Sequence, residues 1–264
     1  AKGFTEQAIL ASWMSQVLEA SGAECEVRGN MGSTIVFDAL RRNSLDLYID
    51  YTGTIWTTVM NREKPVGRTR MFIEVAHHLL EEHGILALGR LGFENSYCLA
   101  MRRDRAAELG LRGIADLRPQ LDQFVLGGDP EFFGRPEWTR VRDLYQLAPL
   151  RTRGMDPTFM YQAVKDGQVD LIAGFSTDGR ISAFDLVVLD DPQQAFPPYD
   201  ALILLSPRAA EDIRLIRALR PLLNSVHVER MRRTNQLVDI GKKSPAAAAA
   251  TLPRGKAAVP PPNK

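Results

Sequence analysis

Apolar residues recur at helical spacing from Ile9 through Trp13 to Val17, and Ser21-Gly22 follows as a C-cap would, which predicts a helix over 9–20. Cys25-Glu26-Val27 reads as a short strand. Ser33-Thr34 reads as the cap of a second helix running to about Arg42, which Asn43-Ser44 ends. Leu45 to Tyr51 reads as a strand, and Thr52-Gly53-Thr54 turns the chain out of it. A further helix is expected over Phe72 to Glu82, closed by Gly84. This rhythm of strand and helix predicts an α/β protein with a mostly parallel sheet.

The pattern also repeats. Met31 to Tyr51 (MGSTIVFDALRRNSLDLYIDY) aligns without a gap on Met155 to Phe175 (MDPTFMYQAVKDGQVDLIAGF). Met31/Met155, Thr34/Thr158, Ala39/Ala163, Asp46/Asp170 and Leu47/Leu171 are identical, and Tyr51/Phe175 are similar. Each copy reads as a capped helix, a tight turn and a strand that ends on an aromatic ring. Two equivalent lobes facing each other would bring Tyr51 and Phe175 to one cleft, because open α/β sheets bind ligands at strand carboxyl ends. The apolar runs Ser96 to Met101 and Ala201 to Leu205 bracket the second copy. Lobe one is therefore expected at 1–97 plus 201–264, and lobe two at 98–200. From Ser244 the composition turns to alanine and then proline, which predicts a disordered tail over about 247–264.

Composition narrows the function. Thirty-three basic residues against 32 acidic ones leave a net charge of +1, without the basic excess of a nucleic-acid binder. No apolar run reaches the roughly 18 residues of a membrane span. Cys25 and Cys98 are too few for a disulfide framework; two free thiols are expected, although one disulfide between them stays open. The chain opens at Ala1-Lys2-Gly3-Phe4 without a leading strand, so it is expected to have been processed or trimmed from something longer.

Catalytic patterns are scarce. His77, His78 and His83 do not share one helical face, so no metal site is expected. Gly174-Phe175-Ser176-Thr177-Asp178-Gly179 is one residue too long for a nucleophile elbow. Gly127-Gly128 lacks the rest of a nucleotide-binding loop, so no cofactor is expected either. What remains is a set of rings beside turns: Tyr51, Tyr97, Phe175 and Tyr199. A box of ring faces suits a cation that cannot donate hydrogen bonds, such as a trimethylammonium group.

These motifs carry a resemblance. Lys2 to Gln7 (KGFTEQ), Asp50 to Thr54 (DYTGT), Asn95 to Ala100 (NSYCLA), Ser176 to Ile181 (STDGRI), Phe196 to Tyr199 (FPPY) and Val238 to Ala246 (VDIGKKSPA) occur in the order found in one family. The chain resembles the substrate-binding proteins of ABC importers for osmoprotectants such as glycine betaine, choline and carnitine. That resemblance implies a two-lobed periplasmic-binding-protein fold of type II, with two strands crossing between the lobes. It implies a cation cage of Tyr51, Tyr97, Phe175 and Tyr199 with Asn95, and a carboxylate end of Lys2, Thr54 and Arg135. Gln7, Ser176, Thr177 and Asp178 form a second tier.

Two positions depart from the family pattern. Phe175 replaces an expected tyrosine, and Asn95 stands where some relatives carry an acid. The implied partners are a small quaternary-ammonium ligand and a membrane ABC permease. The protein would be a monomer outside the cytoplasm of a bacterium, free, tethered or fused to the permease. The rivals are ergothioneine or another larger betaine as ligand, an amino-acid-binding protein of the same fold, and an enzyme on a two-lobed fold.

Overall fold

Helix α1 (Thr5–Ala20) buries Ile9, Leu10, Trp13, Met14, Val17 and Leu18, one stripe at three- and four-residue spacing. No strand forms at Cys25–Val27. Glu24, Glu26 and Val27 are exposed and Cys25 is only half-buried, so the segment has no apolar face to lay on a sheet. The structure is a computed structural model that describes residues 1–62 and 64–253.

Helix α2 (Ser33–Arg41) leads to strand β1 (Leu47–Tyr51). Its N-cap is Gly32 and no side chain caps it, which corrects the reading of Ser33-Thr34 as the cap. The short α3 (Thr52–Thr54) runs on into a π-helical turn, Ile55–Val59. Helix α4 (Arg68–His83) ends on Gly84 at φ 65°, where the left-handed backbone favours glycine, and β2 (Leu86–Glu94) follows.

The second unit opens with β3 (Tyr97–Arg102) and α5 (Arg103–Leu109). After a 3₁₀ stretch it continues through β4 (Val125–Gly128), α6 (Pro130–Gly134), α7 (Pro136–Leu144) and β5 (Arg151–Gly154). Next come α8 (Pro157–Lys165), β6 (Leu171–Phe175), α9 (Gly179–Ala183) and β7 (Leu186–Val188). The chain then returns through β8 (Asp200–Leu205), α10 (Ile213–Leu219), α11 (Val228–Asp239) and α12 (Pro245–Ala249).

Two compact units result. One comprises Ala1–Glu94 with Tyr199 onward, and the other Asn95–Pro198, so the backbone passes between them twice. The first holds a three-stranded sheet, β1-β8-β2, and the second a five-stranded sheet, β5-β4-β6-β3-β7. Among the described strands only β4 pairs in parallel, with β5 and β6; the β1–β8, β2–β8, β3–β6 and β3–β7 ladders are antiparallel. The expectation of a mostly parallel sheet is thereby corrected. β3 and β8 arrive from the other unit rather than through a helical crossover, so each is free to run against its neighbours.

The internal repeat is exact in structure. α2 and β1 correspond to α8 and β6 residue for residue, at one constant offset. In each unit the repeat strand pairs antiparallel with the strand that has just crossed over, Tyr51 opposite Ala201 and Phe175 opposite Tyr97.

Both sheets are covered on two faces. In β8, Ala201, Ile203 and Leu205 enter one core and Leu202 and Leu204 the other, which explains its unbroken apolar run. The alanine-rich segment is not a tail at its start. α12 buries Ala248 and Ala249 completely and lies against α1, followed by the nearly buried Leu252. Alanine lets two helix backbones approach closely, so the low bulk that suggested disorder is what allows the packing. The rest of the expected tail, 254–264, lies outside the described residues. Cys25 and Cys98 are both free thiols, one in each unit.

Candidate functional site

In the second unit Tyr97 and Phe175 form a stacked pair, with centroids 4.8 Å apart and planes 30° apart. Their register as direct partners on β3 and β6 fixes this geometry. Phe132 of α6 is fully buried and lies 4.9 Å from Tyr97, with Trp138 and Phe196 packed on it in turn. Phe175 remains 43% exposed, so one ring of the platform is open to a ligand. The Arg135 guanidinium stands over Tyr97 at 5.7 Å from the centroid and pairs with Glu131 one turn back on α6. Asn95, two residues before Tyr97, is half-buried.

The segment after Phe175 is occupied structurally. The Ser176 amide donates to the Ser96 carbonyl at 2.8 Å, and the Ser96 amide donates to Ser176 Oγ at 3.1 Å, which ties the two strand ends together. Thr177 is buried. Asp178 caps α9 by accepting from the Arg180 amide, and it also takes the Arg180 guanidinium at 2.7 and 3.0 Å. That guanidinium lies 3.9 Å above the buried ring of Tyr161. The Tyr161 hydroxyl accepts the Phe175 amide and fills the space over Gly174, where a Cβ would come within 2.5 Å of it. Only glycine fits there.

In the first unit Lys2 precedes α1, Gln7 lies on α1, Tyr51 ends β1, Thr54 ends α3 and Tyr199 directly precedes β8. Lys2 is buried, and its ammonium donates to Asp50 Oδ1 at 2.5 Å. Asp50 also accepts from the Tyr48 hydroxyl and the Tyr51 amide, so this buried charge pair is well supplied with hydrogen bonds. The Lys2 ammonium is 5.8 Å from the Tyr51 ring centre. Tyr51 is only 4% exposed; its hydroxyl donates to Glu6 Oε1 at 2.5 Å and accepts from Gln7 Nε2 at 3.3 Å. Tyr199 is half-buried, with its ring flat against Gly53: a Cβ at Gly53 would meet ring carbons at 2.5–2.6 Å. Thr54 follows on the same turn, half-buried.

Residues 1–252 match the family model described as the substrate binding domain of ABC-type glycine betaine transport systems. The chain belongs to this family. It is 31% identical over 266 residues to a glycine-betaine-binding protein of Pseudomonas aeruginosa, covering 96% of this chain and 85% of that one. It is 27% identical to the carnitine transport binding protein OpuCC of Listeria monocytogenes, across 93% of this chain and 82% of that one. The ergothioneine transport permease/ergothioneine binding protein EgtU of Helicobacter pylori is 28% identical over 92% of this chain, which spans only 44% of that protein. A crystal structure named for a glycine betaine/carnitine/choline ABC transporter superposes with a TM-score of 0.90 at 25% identity, over 95% of this chain and 94% of that one. The fold is that of type II periplasmic binding proteins, as the resemblance implied.

Within this substrate-binding domain the tyrosines are strongly biased to the neutral form. Burial, then Glu6, pushes the Tyr51 phenol well above its ordinary value, and burial and Asp50 do the same for Tyr48; burial raises the Tyr97 phenol too, against the nearby Arg135 guanidinium. All three remain hydrogen-bond donors at neutral pH. For Arg135, burial lowers the affinity for its proton, but Tyr97 and Glu131 outweigh it and the net direction is upward. No group of three or more His, Cys, Asp or Glu among the described residues could hold a metal ion. No helix among them is long and apolar enough to cross a membrane.

The expected site residues divide between the two units. Tyr97, Phe175, Arg135, Asn95, Ser176, Thr177 and Asp178 belong to one; Lys2, Gln7, Tyr51, Thr54 and Tyr199 belong to the other. Sequence reasoning missed Glu6, Asp50, Phe132 and Tyr161. The first two lie inside the quoted KGFTEQ and DYTGT segments, and an acid buried beside a tyrosine could have been suspected there. Tyr161 reads only as a position of the repeat helix similar to Phe37, and Phe132 only as a neighbour of Arg135 in sequence.

Proposed function

We propose that this domain captures a quaternary-ammonium compound carrying a carboxylate, a betaine, and hands it to an ABC permease in the membrane. The observation that carries this reading is the stacked Tyr97–Phe175 pair, partly open and with a guanidinium over one ring. A ring face that draws an internal cation will draw a trimethylammonium group, which has no N–H and gains little from polar partners. Tyr199, laid flat on Gly53, and Tyr51 supply further rings from the first unit.

The two cations proposed for the carboxylate differ in availability. Arg135 pairs with a largely exposed Glu131, and such pairs are worth about 0.3–0.5 kcal/mol, so it exchanges partners at little cost. Lys2 is held by buried Asp50 and serves as a fixed donor through the N–H groups that this bond leaves over. Rings and cations from both units would be engaged together when the units close on the ligand about the two crossing segments. The closed form would then dock on the permease.

The protein would act outside the cytoplasm, as a monomer and without turnover. The Pseudomonas aeruginosa and Listeria monocytogenes relatives are named as binding proteins, the latter as a transport binding protein, which supports a non-enzymatic role. An amino-acid ligand would need an acid for its ammonium, and Asp178 is already committed to Arg180. Ergothioneine is the second reading, supported by the Helicobacter pylori relative and by Phe175, whose missing hydroxyl leaves an apolar wall suited to a larger betaine. Titration calorimetry with glycine betaine, carnitine, ergothioneine and choline tests the assignment. Saturable heat is expected with at least one betaine, which should outrank choline; silence from all four would refute it.

A further inference from the structure

We propose that Arg68 and Asp200 are positioning residues for Tyr199, holding its ring in place before ligand arrives. This rests on the reading of Tyr199 as a wall of the ligand site. Tyr199 is the first residue of the first unit after the chain returns from the second, and Glu94 is the last before it leaves. The Tyr199 amide donates to Glu94 Oε2 at 3.3 Å, and the next amide, of Asp200, donates to Thr52 Oγ1 at 2.9 Å. Thr52 is the chain neighbour of Gly53, on which the ring lies. Two consecutive amides thus set the backbone, and a glycine surface sets the ring.

The anchor of this arrangement is the Asp200 carboxylate, which is fully buried. Arg68 Nε reaches its two oxygens at 2.9 and 3.0 Å, and Arg68 Nη2 reaches Oδ1 at 2.5 Å. Arg90 Nε stands 3.7 Å from Oδ2, with its guanidinium 4.5 Å from the Phe72 ring centre. Glu94 is the register partner of Asp200, beyond an irregularity in β2 that contains Gly92 at φ 108°. A Cβ at Gly92 would come within 2.8 Å of the Val226 carbonyl oxygen, so this bend is built for glycine. One buried carboxylate therefore ties α4, β2 and β8 together at the root of both crossing segments. A ring fixed in advance spares the ordering cost that binding would otherwise meet. Arg68 does this without being assigned to the ligand.

The experiment compares glycine betaine dissociation constants by calorimetry in four proteins: wild type, Tyr199→Ala, the pair Arg68→Gln with Asp200→Asn, and the three changes combined. The paired change is used because removing Arg68 alone would strand a buried carboxylate. The pair should weaken binding about tenfold when Tyr199 is present, and less than about twofold when it is absent, because its effect runs through that ring. Equal losses in both backgrounds, or no loss in the first, would overturn the inference. Arg68→Lys, which keeps the charge but loses the two-pronged contact, is a milder second variant should the pair not fold; it should lie between wild type and the pair, and wild-type affinity would count against the idea. A wild-type protein that binds no quaternary amine would overturn the proposed function and this inference together, an outcome recognisable before any variant is measured.

Discussion

Tyr97 and Phe175 are direct cross-strand partners whose ring centres lie 4.8 Å apart, and Tyr97 packs in turn on the fully buried Phe132. Tyr97 is therefore backed by the core while Phe175 stays partly open. Tyr97→Ala should cost more than about 1 kcal/mol of betaine affinity, because it removes one ring face and the support of the other. Calorimetry reads this directly. An unchanged affinity would remove Tyr97 from the site.

The two basic residues should separate in their effects. Lys2→Met would leave Asp50 buried without its cation, and breaking such a pair costs about 3–5 kcal/mol. A large fall in Tm is expected, whatever the ligand. Arg135→Ala should leave Tm nearly unchanged and weaken binding of betaines more than that of choline, which has no carboxylate. Thermal melts alongside titrations of both ligand types check the contrast.

Gly53 has no room for a side chain under Tyr199. Gly53→Ala should displace that ring and weaken binding by about tenfold or more, while overpacking costs about 1–3 kcal/mol of stability. The displacement should be visible as a changed near-ultraviolet circular dichroism signal from the tyrosines. An alanine variant with wild-type affinity would mean that Tyr199 makes no contribution where it lies.

Alkaline pH should loosen the second unit. Burial, then the bond to Asp191, pushes the Tyr145 phenol from 10 up to about 12. A raised phenol stabilises the fold fully below pH 10, the value in the unfolded chain, and that contribution is lost as pH rises from 10 through about 12. Thermal melts should show Tm falling over that interval. Tyr145→Phe should be less stable at neutral pH and fall less steeply above pH 10.

Much of this was legible in the sequence, for a local reason. The repeat helices and strands follow from apolar spacing, and Tyr51 and Phe175 end their strands as the repeat predicted. What could not be read was set by contacts between distant residues. Lys2 meets Asp50, Tyr51 meets Glu6, and Arg68 meets Asp200, each across a long stretch of chain. These partners decide which charges are spent inside the fold and which remain for a ligand. The antiparallel ladders escaped for a similar reason, since β3 and β8 are inserted by the crossings and no helix-linked rhythm announces them. α12 was misjudged because alanine looks like filler until its backbone is seen against α1.

The central claim is that rings read a positive charge on a fully substituted nitrogen. It is tested most directly by comparing glycine betaine with 3,3-dimethylbutanoate, which has the same shape and carboxylate but a carbon in place of the nitrogen. Three or more rings acting on the cation predict that the betaine binds at least about tenfold more tightly, measured by calorimetry with the weaker ligand in competition. Equal affinities would contradict the account, because the pocket would then be recognising bulk and carboxylate alone.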